Sequence, residues 1–314
     1  MYKIECNYQV TVDKNNDFVA HISPGCDVCA KTVNAFGGKF STADEVETLI
    51  KNKHTVHHHP LTGPIYIDGA EKGDVLVVHI KDIKVFEAAQ SLSVSAGIDP
   101  IESAGDRAIT LPTHNGKVID YNESVKLNIA PSVGIVATTS DAGAIKTGHA
   151  VKRNGGNLDI PFVCPGADIY LPVDIDGAGL YLGDVHALLA YGELGGIAME
   201  ASSEVIFGVD IIKHTRLNNI VIHGTEPFSG QESIGFVGIG GIGDIASAVR
   251  DAFRGCCECI KAAVVDTDIN SIKKLVTLIG HTLLGQAYSK TSESTAVIVI
   301  KKSDWDKLKG TVTE

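Results

Sequence analysis

The first two thirds of the chain alternate short apolar runs with turns that contain glycine or proline. Residues 75–80 are a dense β-branched run, residues 125–129 alternate apolar and polar positions, and residues 168–173 are short and apolar. A longer alternating stretch covers residues 197–212. Such runs predict β-strands, and many short strands between turns favour a sandwich or barrel over a parallel sheet wound with helices.

The hydrophobic period changes beyond residue 240. Apolar positions fall on one helical stripe in residues 244–263, and residues 269–288 repeat this spacing, so both segments are predicted to be amphipathic helices. Residues 294–300 are predicted to form a final strand, and residues 41–50 an early helix with a Ser/Thr cap. The predicted fold class is α+β and β-dominated, with sandwich-like or barrel-like lobes and two late amphipathic helices.

The domain organisation is predicted to be a single unit. The chain has 314 residues with no internal repeat and no low-complexity linker, so the unit covers residues 1–314, and a lobe boundary is only weakly marked near residues 130–150. A chain of this length buries about 75% of its unfolded surface, which is enough to build a core without disulfides or a structural metal.

The net charge and the hydropathy of the chain restrict the classes of partner that it is expected to bind. The chain carries 27 Lys+Arg and 38 Asp+Glu, a formal net charge of -11. Nucleic acids and anionic membranes require a basic face, so neither is an expected partner. No stretch reaches the roughly 18 apolar residues of a spanning helix, and the first residues lack the apolar core of a signal peptide. We therefore expect a cytoplasmic protein that binds a small ligand.

The cysteines are interpreted as reduced thiols. Their number, seven, is odd, and three of them crowd into residues 256–259 of a predicted helix, where neighbours cannot all pair. Cys26 and Cys29 have the spacing of a redox or zinc half-site, but no second pair lies at a zinc-ribbon distance. Cys164, in a turn-like stretch, is the one thiol kept as a candidate nucleophile.

A glycine-rich segment raises a competing hypothesis. Residues 238–243 read GIGGIG, which matches the G-x-G-x-x-G pattern of dinucleotide-binding turns between a strand and a helix. The region before them lacks βαβ alternation, and the acid after the next strand-like run, Asp266, follows Gly238 by about 28 residues instead of about 20. We therefore predict a glycine-rich strand-to-helix turn and keep a nucleotide-dependent oxidoreductase as the alternative.

The densest polar cluster lies between residues 155 and 200. Asp184 and His186 are two positions apart, so on an extended segment both side chains point to one face and can share a metal or a proton. Asp159 and Glu193 lie nearby in the sequence, among glycines and apolar residues. Carboxylates in apolar surroundings cost free energy and usually have a partner or a role. The spacing alone is also compatible with the alternative, in which Asp184 and His186 are an ordinary Asp-X-His pair on a surface strand without a catalytic role.

Histidines form a second cluster, His54 and His57 to His59. Because alternate side chains of an extended chain point to opposite faces, His57 and His59 can share a face and His58 cannot join them. The alternatives are an exposed loop with incidental metal affinity and functional ligation by His57 or His59. His79 lies on an otherwise apolar strand and is interpreted as a satisfied core histidine, not as a ligand.

Several motifs resemble the acetamidase/formamidase family, in the order in which that family has them. They are KTVNAFGG at residues 31–38, PLTGPIYIDGAEKGDVLVV at residues 60–78, GGNLD at residues 155–159, LPV at residues 171–173, GDVHA at residues 183–187 and GE at residues 192–193. The similarity runs from about residue 10 to about residue 300. The resemblance implies site residues at matching positions of these motifs.

The resemblance implies hydrolysis of a short-chain carboxamide to a carboxylate and ammonia, in a β-rich α+β fold that assembles as a homodimer or a higher oligomer. It also implies a divalent metal, with zinc as the first expectation and calcium as the alternative. We expect Asp184, His186 and His59 to hold the metal, and Glu193 to move the proton. Asp159 is expected to be a further ligand or to orient His186.

Asn34 and Asn157 are expected to hydrogen-bond the substrate amide. The chain departs from the family pattern in two places. Thr32-Val33-Asn34-Ala35 stands where the family usually has T-x-D-A, and residues 187–191 are more apolar than in many members. These departures leave open, as the alternative, a divergent metal-binding member with changed or lost amidase activity.

Overall fold

The computed structural model describes residues 1–38, 59–86, 91–93, 108–110, 113–215, 217–264, 267–289 and 291–310. The predicted early helix at residues 41–50 and three of the clustered histidines, His54, His57 and His58, lie outside the described residues. Within this part of the chain the elements are 22 strands, three α-helices and one turn of 3₁₀-helix at Lys152–Asn154.

The strands are β1 (Tyr2–Ile4), β2 (Thr11–Val12), β3 (Ala20–Ile22), β4 (Val28–Thr32), β5 (Leu61–Ile67), β6 (Val75–Val85), β7 (Ser91–Ser93), β8 (Ala108–Thr110), β9 (Thr113–His114), β10 (Val118–Asp120), β11 (Lys126–Asn128), β12 (Ser132–Ala137), β13 (Ile145–Lys146), β14 (Gly155–Asn157), β15 (Asp168–Pro172), β16 (Leu180–Leu188), β17 (Met199–Ala201), β18 (Ser203–Ile212), β19 (Val221–Thr225), β20 (Glu232–Ile242), β21 (His281–Leu284) and β22 (Glu293–Lys301). The helices are α1 (Ile245–Ala263), α2 (Ile269–Ile279) and α3 (Lys302–Gly310).

Two sheets dominate the fold. The larger sheet has nine strands in the order β1-β4-β18-β6-β15-β19-β20-β22-β21, and the smaller has six, in the order β14-β12-β16-β5-β3 with β17 also paired to β16. Neighbouring strands in both sheets are antiparallel except for the parallel pairs β1 with β4 and β3 with β5. Strands β9 to β11 form a small separate sheet, and β2 pairs with β13 and β7 with β8.

One apolar core fills the space between the larger and smaller sheets. Its buried side chains come from the larger sheet, as with Ile80 and Phe207, and from the smaller sheet, as with Ile65 and Leu182. Two sheets packed face to face over a shared core form a β-sandwich. The structure therefore confirms the predicted β-dominated α+β class.

Strand β6 shows how alternation divides residues between the two faces of the larger sheet. Val78 and Ile80 are buried in the core, whereas the intervening His79 points to the outer face with a side chain 29% exposed. The expectation that His79 is a core histidine is therefore wrong, because its position in the two-residue period faces away from the core.

The helices cover the outer face of the larger sheet at β20 and β22. The N-cap of α1 is Asp244, whose carboxylate accepts a hydrogen bond of 2.9 Å from the Ser247 backbone N–H. The apolar stripe of α1, including Ala252 and Cys256, packs with Phe236 of β20. This is the amphipathic helix that the sequence pattern predicts over residues 244–263.

The glycine-rich segment lies where α1 packs on β20. A Cβ at Gly238 would lie 2.0 Å from the Ala252 nitrogen, and one at Gly240 would lie 2.4 Å from the Asp244 carbonyl oxygen. Both neighbours of β20 are antiparallel to it, whereas a dinucleotide-binding unit needs parallel βαβ strands. The glycines therefore serve close strand-to-helix packing, as the sequence analysis predicts.

Three elements differ from the sequence prediction. The helix predicted over residues 269–288 ends at Ile279, because Gly280 adopts an extended conformation and the next residues pair with β22 as β21. The polar residues after β22 form α3, which the pattern does not predict. The strand predicted over residues 197–212 divides at Ser202 into β17 and β18, which join different sheets. None of the described helices has both the length and the apolar composition needed to cross a membrane.

Candidate active site

Strand β16 of the smaller sheet carries Asp184 and His186. Both side chains are buried, and Asp184 Oδ2 lies 3.9 Å from His186 Nε2. The two groups therefore converge, as their two-residue spacing predicts.

Asp159 approaches the same point from the turn after β14. The backbone N–H groups of Leu158 and Asp159 donate to the Gly134 carbonyl of β12 at 2.9 and 3.1 Å. This anchors the turn so that Asp159 Oδ1 lies 3.8 Å from His186 Nε2. Gly134 has no room for a side chain, since a Cβ there would lie 2.6 Å from His186 Cε1 and 2.7 Å from Asp159 Oδ1.

Glu193 and Gln286 close another side of the site. Glu193 lies in a turn after β16, where its neighbour Gly192 forms an isolated β-bridge with Gln286. Gln286 Nε2 donates to Glu193 Oε2 at 2.6 Å and to Asp159 Oδ2 at 3.2 Å. One neutral amide therefore holds two buried carboxylates together. The sequence analysis missed Gln286, which follows Glu193 by 93 residues and lies in no recognisable motif.

Glu200 is a fourth buried carboxylate at this site, and the sequence analysis missed it as well. It lies on β17 directly opposite His186 of β16, with Oε1 3.6 Å from His186 Nε2. The sequence signal that could have identified Glu200 is an isolated acid between Met199 and Ala201 in a predicted strand. A carboxylate in such a buried strand position needs a partner or a role.

His59 lies just before β5 and contacts the site through Asp184. His59 Nδ1 is 3.1 Å from Asp184 Oδ2, and the His59 side chain is 24% exposed. Its ring packs against Gly148, where a Cβ would lie 3.3 Å from His59 Cδ2. His59 is therefore nearer to solvent than the carboxylates behind it.

Four of these residues have backbone φ angles in the left-handed region. The angle is 31° at His59, 46° at Asp159, 54° at Asp184 and 41° at Glu193. A non-glycine residue in this region costs on the order of 1–3 kcal/mol and persists only where the surrounding structure fixes it. Because such strain concentrates at functional sites, these four φ angles indicate a functional site, and this evidence does not depend on the charges of the residues.

Burial changes the acid–base behaviour of the carboxylates. Burial, together with the charges of Glu193 and Asp184, raises the pKa of Asp159 well above its usual value, and burial also raises that of Glu200. Burial and the Asp184 charge raise the pKa of Glu193 to about 7. Burial opposes ionisation of Asp184 too, but the neighbouring His59 outweighs it, and the pKa of Asp184 falls to about 2. Without a cation, the four acids cannot all ionise near neutral pH.

The donor set fits a divalent metal. Ligand atoms of Asp159, Asp184 and His186 lie within 4.8 Å of one another, and so do those of His186, Glu193 and Glu200. Burial lowers the pKa of His186, which favours the neutral imidazole that metal binding requires. Asp159 Oδ1, Asp184 Oδ1 and Glu200 Oε2 are buried without a hydrogen-bond partner among the described residues. A cation would satisfy such oxygens.

Two amide oxygens beside Asp159 are also buried without a hydrogen-bond partner in the described part of the chain, Asn157 Oδ1 and Gln286 Oε1. Asn157 ends β14, two residues before Asp159, and Gln286 donates to Asp159 through its side-chain nitrogen. The site therefore presents unmet neutral acceptors next to its carboxylates.

Asn34 has its side-chain atoms engaged within the chain. Its Oδ1 accepts from the Phe36 N–H at 3.1 Å, and its Nδ2 donates to the Gly38 carbonyl at 2.7 Å and to Ser202 Oγ at 3.3 Å. An aspartate could not donate to the Gly38 carbonyl, so the neutral amide suits these local contacts. A role for Asn34 in substrate binding stays a prediction.

The apolar segment at residues 187–191 leads into the turn that carries Glu193, whose N–H donates to the Ala190 carbonyl at 3.2 Å. Ala187 is buried in a small cluster with Ile119 and Met199. Tyr191 donates its hydroxyl to Glu226 Oε1 at 2.9 Å. The second departure from the family pattern is therefore accommodated by local packing and by this hydrogen bond.

The chain is similar to solved and curated proteins over much of its length. The crystal structure of an acetamidase from Bacillus halodurans matches it with a TM-score of 0.86 and 25% identity, over 98% of this chain and 99% of that one. A protein of Schizosaccharomyces pombe is 25% identical over 256 residues, which are 63% of this chain and 62% of the relative. A formamidase of Methylophilus methylotrophus is 22% identical over 263 residues, 65% of this chain and 64% of the relative. The chain thus spans less than two thirds of either curated relative.

A family comparison covers the site. The sequence model of the acetamidase/formamidase family matches residues 13–120 and 122–264. The second range contains Asp159, Asp184 and His186. With most of its length and its central cluster within the match, the chain belongs to the acetamidase/formamidase family.

Proposed function

We propose that this protein hydrolyses a small primary carboxamide to a carboxylate and ammonia, with a divalent metal held in the buried cluster. The observation that carries this proposal is the convergence of Asp159, Asp184 and Glu200 on His186, all four buried. Membership of the family supports an amide as substrate, as does similarity to proteins named acetamidase and formamidase.

Asp159, Asp184 and His186 are the residues that would hold the metal, with His59 as a further candidate ligand beside Asp184. A divalent cation bound there supplies Lewis-acid chemistry, which polarises the amide carbonyl and makes water more acidic. Zinc suits a mixed imidazole and carboxylate donor set, and calcium is the alternative because oxygen donors outnumber nitrogen.

Glu193 is the group proposed to move the proton. Its carboxylate takes a proton from the attacking water as the new C–O bond forms, and returns it to the nitrogen as the C–N bond breaks. Ammonia then leaves, and the carboxylic acid that remains loses its proton, to ammonia or to solvent, to give the carboxylate. Burial, which a bound metal does not remove, raises the pKa of this carboxyl group, and a raised pKa suits one group to both steps near neutral pH. The hydrogen bond from Gln286 Nε2 fixes the orientation of this carboxylate.

The two unpartnered amide oxygens suit a primary amide. Such a substrate has two N–H bonds, and Asn157 Oδ1 and Gln286 Oε1 can each accept one. An N-methyl amide offers only one N–H and would leave a buried acceptor unpaired, which costs about 1–3 kcal/mol. We therefore expect primary amides to be preferred over their N-methyl derivatives by about tenfold or more.

The test is product release from formamide, acetamide, propionamide, N-methylacetamide and a small lactam, using protein of determined zinc and calcium content. We expect ammonia from the primary amides and a much slower reaction with N-methylacetamide. Bound metal with no reaction on any of these amides would contradict the proposal. It would support instead a divergent metal-binding member with changed or lost activity.

Replacement of Gln286 by Leu should lower kcat/KM for acetamide by about 10- to 100-fold, because it removes a donor shared by two carboxylates and a proposed substrate acceptor. Gln231→Leu is the matched control, since Gln231 is exposed and contacts its surroundings through backbone atoms. Steady-state kinetics on both variants checks the prediction. Equal losses of kcat/KM in the two variants, or no loss in Gln286→Leu, would show that Gln286 has no specific role in the reaction.

A further inference from the structure

Two buried polar atoms on neighbouring strands of the smaller sheet have no hydrogen-bond partner in the described part of the chain, Ser132 Oγ and His186 Nδ1. Ser132 begins β12, His186 lies on β16, and the two residues are directly opposite each other in the antiparallel pairing of these strands. Each residue is only 1% exposed. Because an unsatisfied buried polar atom costs about 1–3 kcal/mol, two of them on opposite residues indicate that they share a partner or form one contact.

The side chains of Ser132 and His186 lie on the same face of the smaller sheet. The next pair along the two strands, Val133 and Val185, belongs to the core between the sheets. Because successive side chains of a strand alternate between its faces, Ser132 and His186 both point to the opposite face, on which the candidate site lies. Directly opposite residues have Cβ atoms about 4.5–5.5 Å apart, so the hydroxyl and the imidazole are close neighbours.

The two ring nitrogens of His186 have different surroundings. Nε2 faces three carboxylates, at distances of 3.6, 3.8 and 3.9 Å. A Cβ at Gly134, two residues after Ser132, would lie 2.6 Å from His186 Cε1, which is the ring atom bonded to both nitrogens. Nδ1 therefore lies beside β12, the strand that carries Ser132, while Nε2 lies among the carboxylates.

A histidine that binds a metal through Nε2 needs an acceptor at Nδ1. The neutral imidazole then has its one proton on Nδ1, and the group that accepts this N–H fixes both the tautomer and the orientation of the ring. That group is almost always a carboxylate, a carbonyl or water. Among the described residues none of these groups of the chain accepts from His186 Nδ1.

A serine hydroxyl can take this position. It has one O–H and two lone pairs, so Ser132 Oγ can accept from the Nδ1–H of His186. Rotation of the serine about χ1 moves Oγ between three staggered positions and leaves the backbone in place, so the contact requires no change in the pairing of β12 and β16. A single buried water between the two atoms would serve the same purpose, since it can donate to one and accept from the other.

We propose that Ser132 is a positioning residue, whose hydroxyl accepts the Nδ1–H of His186, directly or through one water, and so directs the Nε2 lone pair to the metal. This inference rests on the proposed function, in which His186 is a metal ligand. It assigns Ser132 no contact with the substrate. The expected consequence of removing the hydroxyl is therefore weaker metal binding.

The test compares the zinc affinity of Ser132→Ala with that of the unsubstituted protein, measured by chelator competition after removal of all metal. Ser132→Ala removes one oxygen atom and adds none, so the fold should be kept, and we expect zinc binding to weaken by about 10- to 100-fold. Ser233→Ala is the matched control, because Ser233 is also 1% exposed but lies on β20 of the larger sheet, where its hydroxyl donates to the Gln231 carbonyl at 3.2 Å. It should leave the zinc affinity unchanged.

A second readout distinguishes positioning of the imidazole from a general effect on stability. NMR of the ring nitrogens should show a shifted His186 Nδ1 resonance in Ser132→Ala, with and without zinc, and an unchanged one in Ser233→Ala. A merely structural role of Ser132 would lower Tm without moving this resonance.

The outcomes separate this inference from the proposed function. Unchanged zinc affinity in Ser132→Ala would overturn the inference, whether or not the Nδ1 resonance shifts, and would leave the proposed function intact. Weaker zinc binding without a shifted resonance would overturn it too. An unsubstituted protein that neither binds zinc nor hydrolyses any amide would contradict the proposed function, and with it the role of Ser132 in metal binding.

Discussion

Replacing Glu193 by Gln is expected to lower kcat for acetamide by about 10²- to 10⁴-fold, the range typical of removing a general acid–base group. The amide keeps the size of the carboxylate and can still accept the hydrogen bond from Gln286 Nε2, so the turn should remain in place. It cannot take a proton from water near neutral pH, because an amide is a much weaker base than a carboxylate. Zinc content should stay that of the unsubstituted protein.

Glu5→Gln is the control for this loss of charge, because Glu5 is an exposed carboxylate paired with Lys31. It should leave kcat unchanged. Activity that survives in Glu193→Gln would show that another group moves the proton. A variant that loses its metal together with its activity would make Glu193 a ligand instead of a base.

Gly134→Ala is expected to abolish metal binding and hydrolysis together. The added Cβ would lie 2.6 Å from His186 Cε1 and 2.7 Å from the Asp184 carbonyl oxygen, and the second of these atoms belongs to the backbone of a central strand. The strands must therefore separate, or the imidazole must leave its position. Overpacking of this kind also lowers the free energy of unfolding by about 1–3 kcal/mol.

Gly195→Ala is the matched control, because Gly195 lies two residues from Glu193 and a Cβ there meets no atom within 4 Å. It should retain metal, activity and Tm. Metal titration by calorimetry and thermal unfolding of both variants check the prediction. A Gly134→Ala protein with normal zinc affinity would contradict the packing of Gly134 beneath His186 and Asp159.

Local patterning predicts the parts of this structure that depend on neighbours in the sequence. The two-residue spacing of Asp184 and His186 is enough to bring their side chains together on one strand. The three-to-four-residue spacing of apolar positions is enough to locate α1. It does not locate the end of α2, because its apolar positions continue past Gly280 into β21, which is a strand only through pairing with β22.

The rest of the site depends on pairing between distant strands. Glu200 reaches His186 because β17 separates from β18 at Ser202 and pairs with β16. Gln286 reaches Glu193 through a bridge to Gly192. Neither pairing leaves a trace in local periodicity.

The most direct test of the central claim is ammonia release from acetamide by protein stripped of metal and then titrated with zinc. We expect negligible release by the stripped protein and recovery in proportion to zinc bound at the cluster of Asp159, Asp184 and His186. Full release by metal-free protein would contradict a metal-dependent amidase.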